Sequence, residues 1–197
     1  MKPTAAVKGV LLFPGAGSGR DQPSLVRLEE TLRPLPVRRA DFEYRKHGRR
    51  APDRPPVLLA TVRAEAAALA AERKTKTSKL VLGGRSMGGR MCTMAAAGGD
   101  EIGEPLPVAG LIAICYPLHP PGKPDNLRVA HLPRITVPCL FISGTRDAFG
   151  TPDELQRWTA TIPGPVTHVW AENKGHDLKG ADALIASAVA DWLPSIG

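Results

Sequence analysis

Short apolar stretches, several rich in β-branched residues, alternate with amphipathic or alanine-rich ones almost from end to end of the chain. The apolar stretches predict strands at Gly9–Phe13, Val37–Tyr44, Lys79–Gly83, Ala109–Cys115, Cys139–Ser143 and Val166–Trp170. Between and after them the spacing predicts helices at Ser24–Leu32, Pro56–Arg73, Met87–Ala97, Pro152–Thr161 and Asp182–Leu193. In the last of these, the spacing of Leu184, Ala188 and Trp192 predicts one buried stripe. Such alternation predicts an α/β fold, a mostly parallel sheet of about six strands flanked by helices. The stretches "YRKHGRRAPDRPP" and "PLHPPGKPDNLRVAHLPRITVP" are rich in proline and basic residues. Each follows the C-terminal end of a predicted strand, the edge where open α/β sheets bind ligands.

At 197 residues the chain is expected to form a single domain, 1–197, around one core. With 43% apolar and 23% charged residues it falls in the ordinary globular range. Lys8 interrupts the first apolar stretch and about five apolar residues follow it, too few for a signal-peptide core. No run approaches the roughly 18 residues a membrane span needs, so a cytoplasmic protein with no membrane partner is expected. Cys92, Cys115 and Cys139 are odd in number, lie among apolar neighbours and lack metal or redox spacing; they read as buried free thiols, and no metal site is expected. The net charge of +7 is concentrated between Arg33 and Arg54, where eight Arg and Lys residues face only Asp41, Glu43 and Asp53. No nucleic-acid motif accompanies them, so a solvated face is expected rather than a nucleic-acid site.

The candidate chemistry begins at "VLGGRSMGGRM", residues 81–91, where Ser86 stands between two pairs of glycines. The apolar strand before it and the small-residue helix after it place Gly84-Arg85-Ser86-Met87-Gly88 in a strand-turn-helix G-x-S-x-G. A strained turn there lifts the Ser86 hydroxyl above the sheet edge and aims the Met87 N–H at the same spot. Phosphate loops are excluded because neither glycine-rich segment ends in Gly-Lys-Ser/Thr, and a dinucleotide fingerprint fails at Arg20, which stands where its third glycine belongs.

Partners for Ser86 follow in order. Asp147 lies just past the fifth predicted strand and His176 just past the sixth. His47, His119 and His131 precede Asp147, and His168 lies inside a strand. Asp153 reads as a helix-capping or first-turn residue, and Asp177 is too close to His176 to brace its ring. After the first strand, "LLFPGAGSGRD" offers the Ala16 N–H as a second oxyanion donor beside that of Met87, although Pro14 stands where a histidine is usual.

Together "LLFPGAGSGRDQP", "GGRSMGGRM", "YPLHPPGKP" and "SGTRDAFGTPDEL" resemble the small α/β-hydrolase-like proteins of the testis-expressed-protein and NSL-complex-subunit type, related to dienelactone hydrolases. The resemblance spans about Gly9 to Leu193 and implies an α/β-hydrolase fold, a Ser86–His176–Asp147 triad and no cofactor. Ser86 stands where dienelactone hydrolases carry cysteine, so serine chemistry is expected; the resemblance supplies no substrate, and the expected one is a small-molecule ester or thioester. The alternative is a non-catalytic module that keeps the fold and meets a partner through its basic loops. Only about 23 residues separate the fourth and fifth predicted strands, so no substantial lid is expected. The expected site is shallow, walled by Tyr116, Pro117, Leu118 and Phe149, with Arg85 and Arg146 either bracing loops or favouring anionic substrates.

Overall fold

The computed structural model describes residues 7–100 and 102–196, so the basic N-terminal residues 1–6 lie outside the described residues. Six strands, β1 (Gly9–Phe13), β2 (Val37–Arg39), β3 (Leu80–Arg85), β4 (Gly110–Ile114), β5 (Cys139–Gly144) and β6 (Val166–Ala171), form one sheet. Their order is β2-β1-β3-β4-β5-β6 and every pairing is parallel. The helices are α1 (Pro23–Thr31), α2 (Glu43–Lys46), α3 (Pro55–Glu72), α4 (Met87–Ala97), α5 (Pro152–Thr159) and α6 (Asp182–Trp192).

Strand side chains alternate between two cores because successive Cβ atoms point to opposite faces. Leu11, Phe13, Leu111, Ala113 and Phe141 pack on one face with residues of α3, α4 and α5. Val10, Leu12, Ile112, Ile114, Leu140 and Ile142 pack on the other with α1 and α6, which turns Ile185, Ala186, Val189 and Trp192 inward and leaves Leu184 of the expected stripe exposed. Both faces are covered, which explains why β1, β3, β4 and β5 read as nearly continuous apolar runs. The three cysteines are free and buried within these layers, and burial pushes the Cys115 and Cys139 thiols up to about 12. No helix among the described residues is long and apolar enough to cross a membrane.

The chain steps outward from β1 to β2, then returns past β1 to β3. Helices α1 and α4 consequently leave the sheet on opposite faces. The strand order thus reverses between β1 and β3, and the loops that follow these two strands lie side by side at their carboxyl ends. Between β4 and β5 the chain carries only a short 3-10 turn, Leu132–Arg134, and no lid is evident.

The strand expected at Val37–Tyr44 ends early. Ala40 N–H still bonds the Leu12 carbonyl, but the next position of β1 is Pro14, which has no N–H to offer a neighbour. The chain turns away, and Glu43–Lys46 closes one helical turn. Phe42 and Tyr44, which fall inside the expected strand, instead stack in series beneath Phe13 at 4.8 and 6.3 Å between ring centroids. Half of the eight cations in the basic stretch around β2 are paired within the fold. Arg38 pairs with Glu65 and Glu72, Arg39 with Asp21 and Glu29, Lys46 with Glu43 and Glu65, and Arg49 with Asp53.

His131 is buried beside Thr93, whose hydroxyl lies 2.9 Å from its Nε2. Burial, reinforced by Arg90 and Arg134, lowers its pKa to about 3. An unfolded histidine titrates near 6.5, so between these values the unfolded chain binds the extra proton and acid favours unfolding. This residue alone is expected to remove up to about 1.4 kcal/mol of stability per pH unit below about 6.5. Urea unfolding at a series of pH values checks it: a His131→Asn chain is expected to show a shallower loss across that window than the wild type.

Candidate active site

Glycines decide the path of the turn after β3. A Cβ on Gly84 would sit 2.2 Å from the Phe13 carbonyl oxygen, and one on Gly88 would sit 2.4 Å from the same oxygen and 2.6 Å from that of Pro14. Because both positions flanking Ser86 press on the backbone of β1, the chain reverses within a few residues. Ser86 is left at φ 48°, ψ −115°, a conformation disfavoured for any residue with a side chain. Two backbone bonds hold it there: Ser86 N–H donates to the Ile114 carbonyl at 2.7 Å, and its own carbonyl accepts from Arg90 N–H at 3.1 Å.

The structure brings Ser86, His176 and Asp147 together. His176 Nε2 lies 2.9 Å from Ser86 Oγ, and Nδ1 lies 3.0 and 2.9 Å from the two Asp147 carboxylate oxygens. Asp147 is 3% exposed, while Ser86 and His176 are half-buried, so the hydroxyl end of the relay is open and the acid end is sealed. One Asp147 oxygen also accepts the Phe149 N–H at 2.9 Å. The Phe149 ring then stacks on the His176 imidazole, with centroids 3.9 Å apart and planes inclined by 28°.

The acid and histidine loops are fastened to one another. Gly144, at the end of β5, approaches Lys174 so closely that a Cβ would meet its carbonyl at 2.1 Å. Arg146 N–H donates to the Lys174 carbonyl at 2.9 Å, and Asn173 N–H donates to the Thr145 hydroxyl at 2.8 Å. From the serine turn, the buried Arg85 guanidinium donates to the His176 carbonyl at 2.9 Å. Arg85 is thus a brace between two loops, while Arg146 is exposed.

The loop after β1 completes the surroundings of Ser86. A Cβ on Gly15 would lie 3.6 Å from that of Ser86, and the Tyr44 hydroxyl donates to the Ala16 carbonyl at 2.8 Å, steadying that peptide. Met87 opens α4, so its N–H has no acceptor within the helix. Three of the expected wall residues are corrected. Tyr116, Pro117 and Leu118 are buried, Tyr116 at 2% and Leu118 at 0% exposure, because the chain dives under the loop from Asn126 to Val129, where the Tyr116 hydroxyl donates to the Arg128 carbonyl at 2.7 Å. Phe149 remains half-buried at the site. The Cys115 sulfur and donor atoms of Asp147 and His176 lie within 4.8 Å of one another, the residue types of a metal site. Both ring nitrogens of His176 are, however, already engaged, Nδ1 by Asp147 and Nε2 by Ser86.

A family model described as "Alpha/beta hydrolase domain" matches residues 6–188. The chain is similar to the solved structure of Est1E from Butyrivibrio proteoclasticus, with 16% identity, a TM-score of 0.73, and 97% of this chain and 88% of the other covered. A dienelactone hydrolase from Anabaena variabilis superposes with 20% identity and a TM-score of 0.70 over 98% and 88% of the two chains. A Xanthomonas campestris α/β serine hydrolase without a lid gives 22% identity and a TM-score of 0.62 over 98% and 86%.

Gly88→Ala separates two opposed effects. Alanine gains about 1 kcal/mol of helix propensity over glycine. Its methyl would also meet two backbone oxygens that cannot rotate away, an overpacking cost of typically 1–3 kcal/mol and more where backbone must shift. The steric term is expected to win, with a net loss of about 2 kcal/mol by chemical denaturation, whereas Gly17→Ala, with open space around its Cβ, is expected to be neutral.

Proposed function

Because the chain belongs to the α/β-hydrolase family, we propose that it is a serine hydrolase, cleaving a small carboxylic ester or thioester through an acyl-enzyme on Ser86. The reading rests on one observation, the unbroken relay from the Ser86 hydroxyl through His176 to a buried Asp147, every step at 2.9–3.0 Å.

In this mechanism His176 Nε2 removes the hydroxyl proton as Ser86 Oγ bonds the acyl carbon. The N–H groups of Met87 and Ala16 receive the negative charge that develops on the carbonyl oxygen. The tetrahedral adduct collapses, the carbon–oxygen or carbon–sulfur bond to the leaving group breaks, and the imidazolium returns its proton to that alcohol or thiol. Water then attacks the acyl carbon as His176 takes its proton, the bond from that carbon to Ser86 Oγ breaks, and the imidazolium returns the proton to Oγ as the carboxylic acid leaves. Asp147 keeps the Nδ1–H tautomer and balances the transient imidazolium charge. The Phe149 ring over the imidazole limits its rotation, so the base stays aimed at Ser86 through both halves of the cycle. No cofactor is required by these steps.

Labelling with a fluorophosphonate probe, followed by intact mass, tests the proposal. The wild type is expected to gain one adduct, and Ser86→Ala and His176→Ala to gain none on the same timescale. Asp147→Asn is expected to lower kcat on 4-nitrophenyl acetate by about a hundred-fold or more, since the asparagine favours the wrong tautomer. A folded wild type that stays unlabelled would sink the assignment.

A further inference from the structure

Helix α4 carries more than the serine turn. Ser86, Arg90 and Met94 are spaced four residues apart and so lie in a row along one helix face. All three are half-buried, while Gly88, Gly89, Met91, Cys92 and Ala95 are buried against the fold. Arg90 and Met94 line a cleft of about 870 Å³. Its walls include Leu59 near the start of α3 and Leu127, Arg128 and Val129 from the loop after β4. That volume lies within the range of small-molecule sites.

The charges in this cleft are unbalanced. The Arg90 Nε is buried and has no hydrogen-bond partner. Arg134, also in the cleft, spends its guanidinium on the Gly98 and Ala130 carbonyls. Among the described residues none of Arg90, Arg128 and Arg134 has a carboxylate partner. Asp100 is the acidic residue of the lining, and it is exposed beyond the C-terminal end of α4. Burial lowers the Arg90 pKa, and the nearby positive charge of Arg128 lowers it further, so the site as it stands disfavours the charge it carries. The buried Nε–H is left without an acceptor, a cost that is relieved when an anion enters beside it.

From the unpartnered Arg90 guanidinium, the apolar walls around it and its place one helical turn from Ser86, we infer that this cleft binds the carboxylate end of a small amphipathic ligand. The inference rests on the hydrolase reading for one point only, that the other end of the ligand is the acyl carbon presented to Ser86. The substrate class is then an ester or thioester whose acyl chain ends in a free carboxylate. Four residues along a helix rise about 6 Å, which suits a spacer of a few carbons between the two groups. An alkyl carboxylate sets apolar carbons against these walls, which inorganic phosphate cannot.

Calorimetric titration of the full chain with glutarate, uncharged dimethyl glutarate and inorganic phosphate tests the assignment. The wild type is expected to bind glutarate at least ten-fold more tightly than either of the others. Arg90→Gln is expected to erase that preference and Arg90→Lys to keep part of it. Lys123→Gln, at an exposed position outside the cleft lining, is expected to keep all of it. Arg128→Gln, expected to weaken glutarate about three-fold, carries the test should Arg90→Gln fail to fold. A wild type that binds the acid and its diester alike, or neither, overturns the inference. So does a folded Arg90→Gln chain that still prefers glutarate, and a stronger affinity for phosphate overturns the choice of carboxylate. The titrations read no turnover, so a chain that holds glutarate through Arg90 but takes no fluorophosphonate retains the cleft and loses the hydrolase, and the converse result separates them the other way.

Discussion

The carbonyl oxygen of Phe13 is the point against which the site is built. Gly84 and Gly88, two residues either side of Ser86, both rest on it at distances no Cβ tolerates. This contact forces the reversal between β3 and α4, leaves Ser86 at positive φ, and puts the serine beside the loop after β1. The strain of order 1–3 kcal/mol held at such a residue persists only because its surroundings overdetermine it. Here those surroundings are a central pair of strands, with β3 bonded between β1 and β4 and buried on both faces.

The opposite half of the site uses the same device. Gly144 against Lys174 lets the loops after β5 and β6 close on one another, and backbone bonds fasten them. Asp147 and His176 therefore arrive as a unit, and Arg85 ties that unit to the serine turn. Rigid strand ends, and not the loops alone, set the distances. Packing also supplies the charge environment: Asp147 is sealed beneath His176 and Phe149, where a carboxylate–imidazole bond is stronger than in water.

The legible parts of the sequence were those with local causes. Five of the six strands and the five longer helices follow from periodicity, to within a few residues at their ends. The Gly-x-Ser-x-Gly turn and the order of Asp147 and His176 were visible because strand-end residues in such a sheet share one edge. The fragment from Ala40 to Tyr44 misled because alternation is equally satisfied by a strand and by aromatic residues folding back under Phe13. Tyr116, Pro117 and Leu118 misled for a related reason. Their position after β4 is a site position in the chain, but the loop that covers them comes from residues ten further on.

What the sequence determined by itself was the alternation of layers, the strained serine turn and the supply of an acid and a base at the correct edge, since each depends on neighbours in the chain. Only the tertiary structure decided that Phe149 stacks on His176, that Arg85 braces the histidine loop, and that Arg38 and Arg39 on β2 are paired while Arg90 is not. Those outcomes join residues as far as 91 positions apart. Whether a charge finds a partner depends on which distant segments the sheet order sets side by side, and no local pattern encodes that.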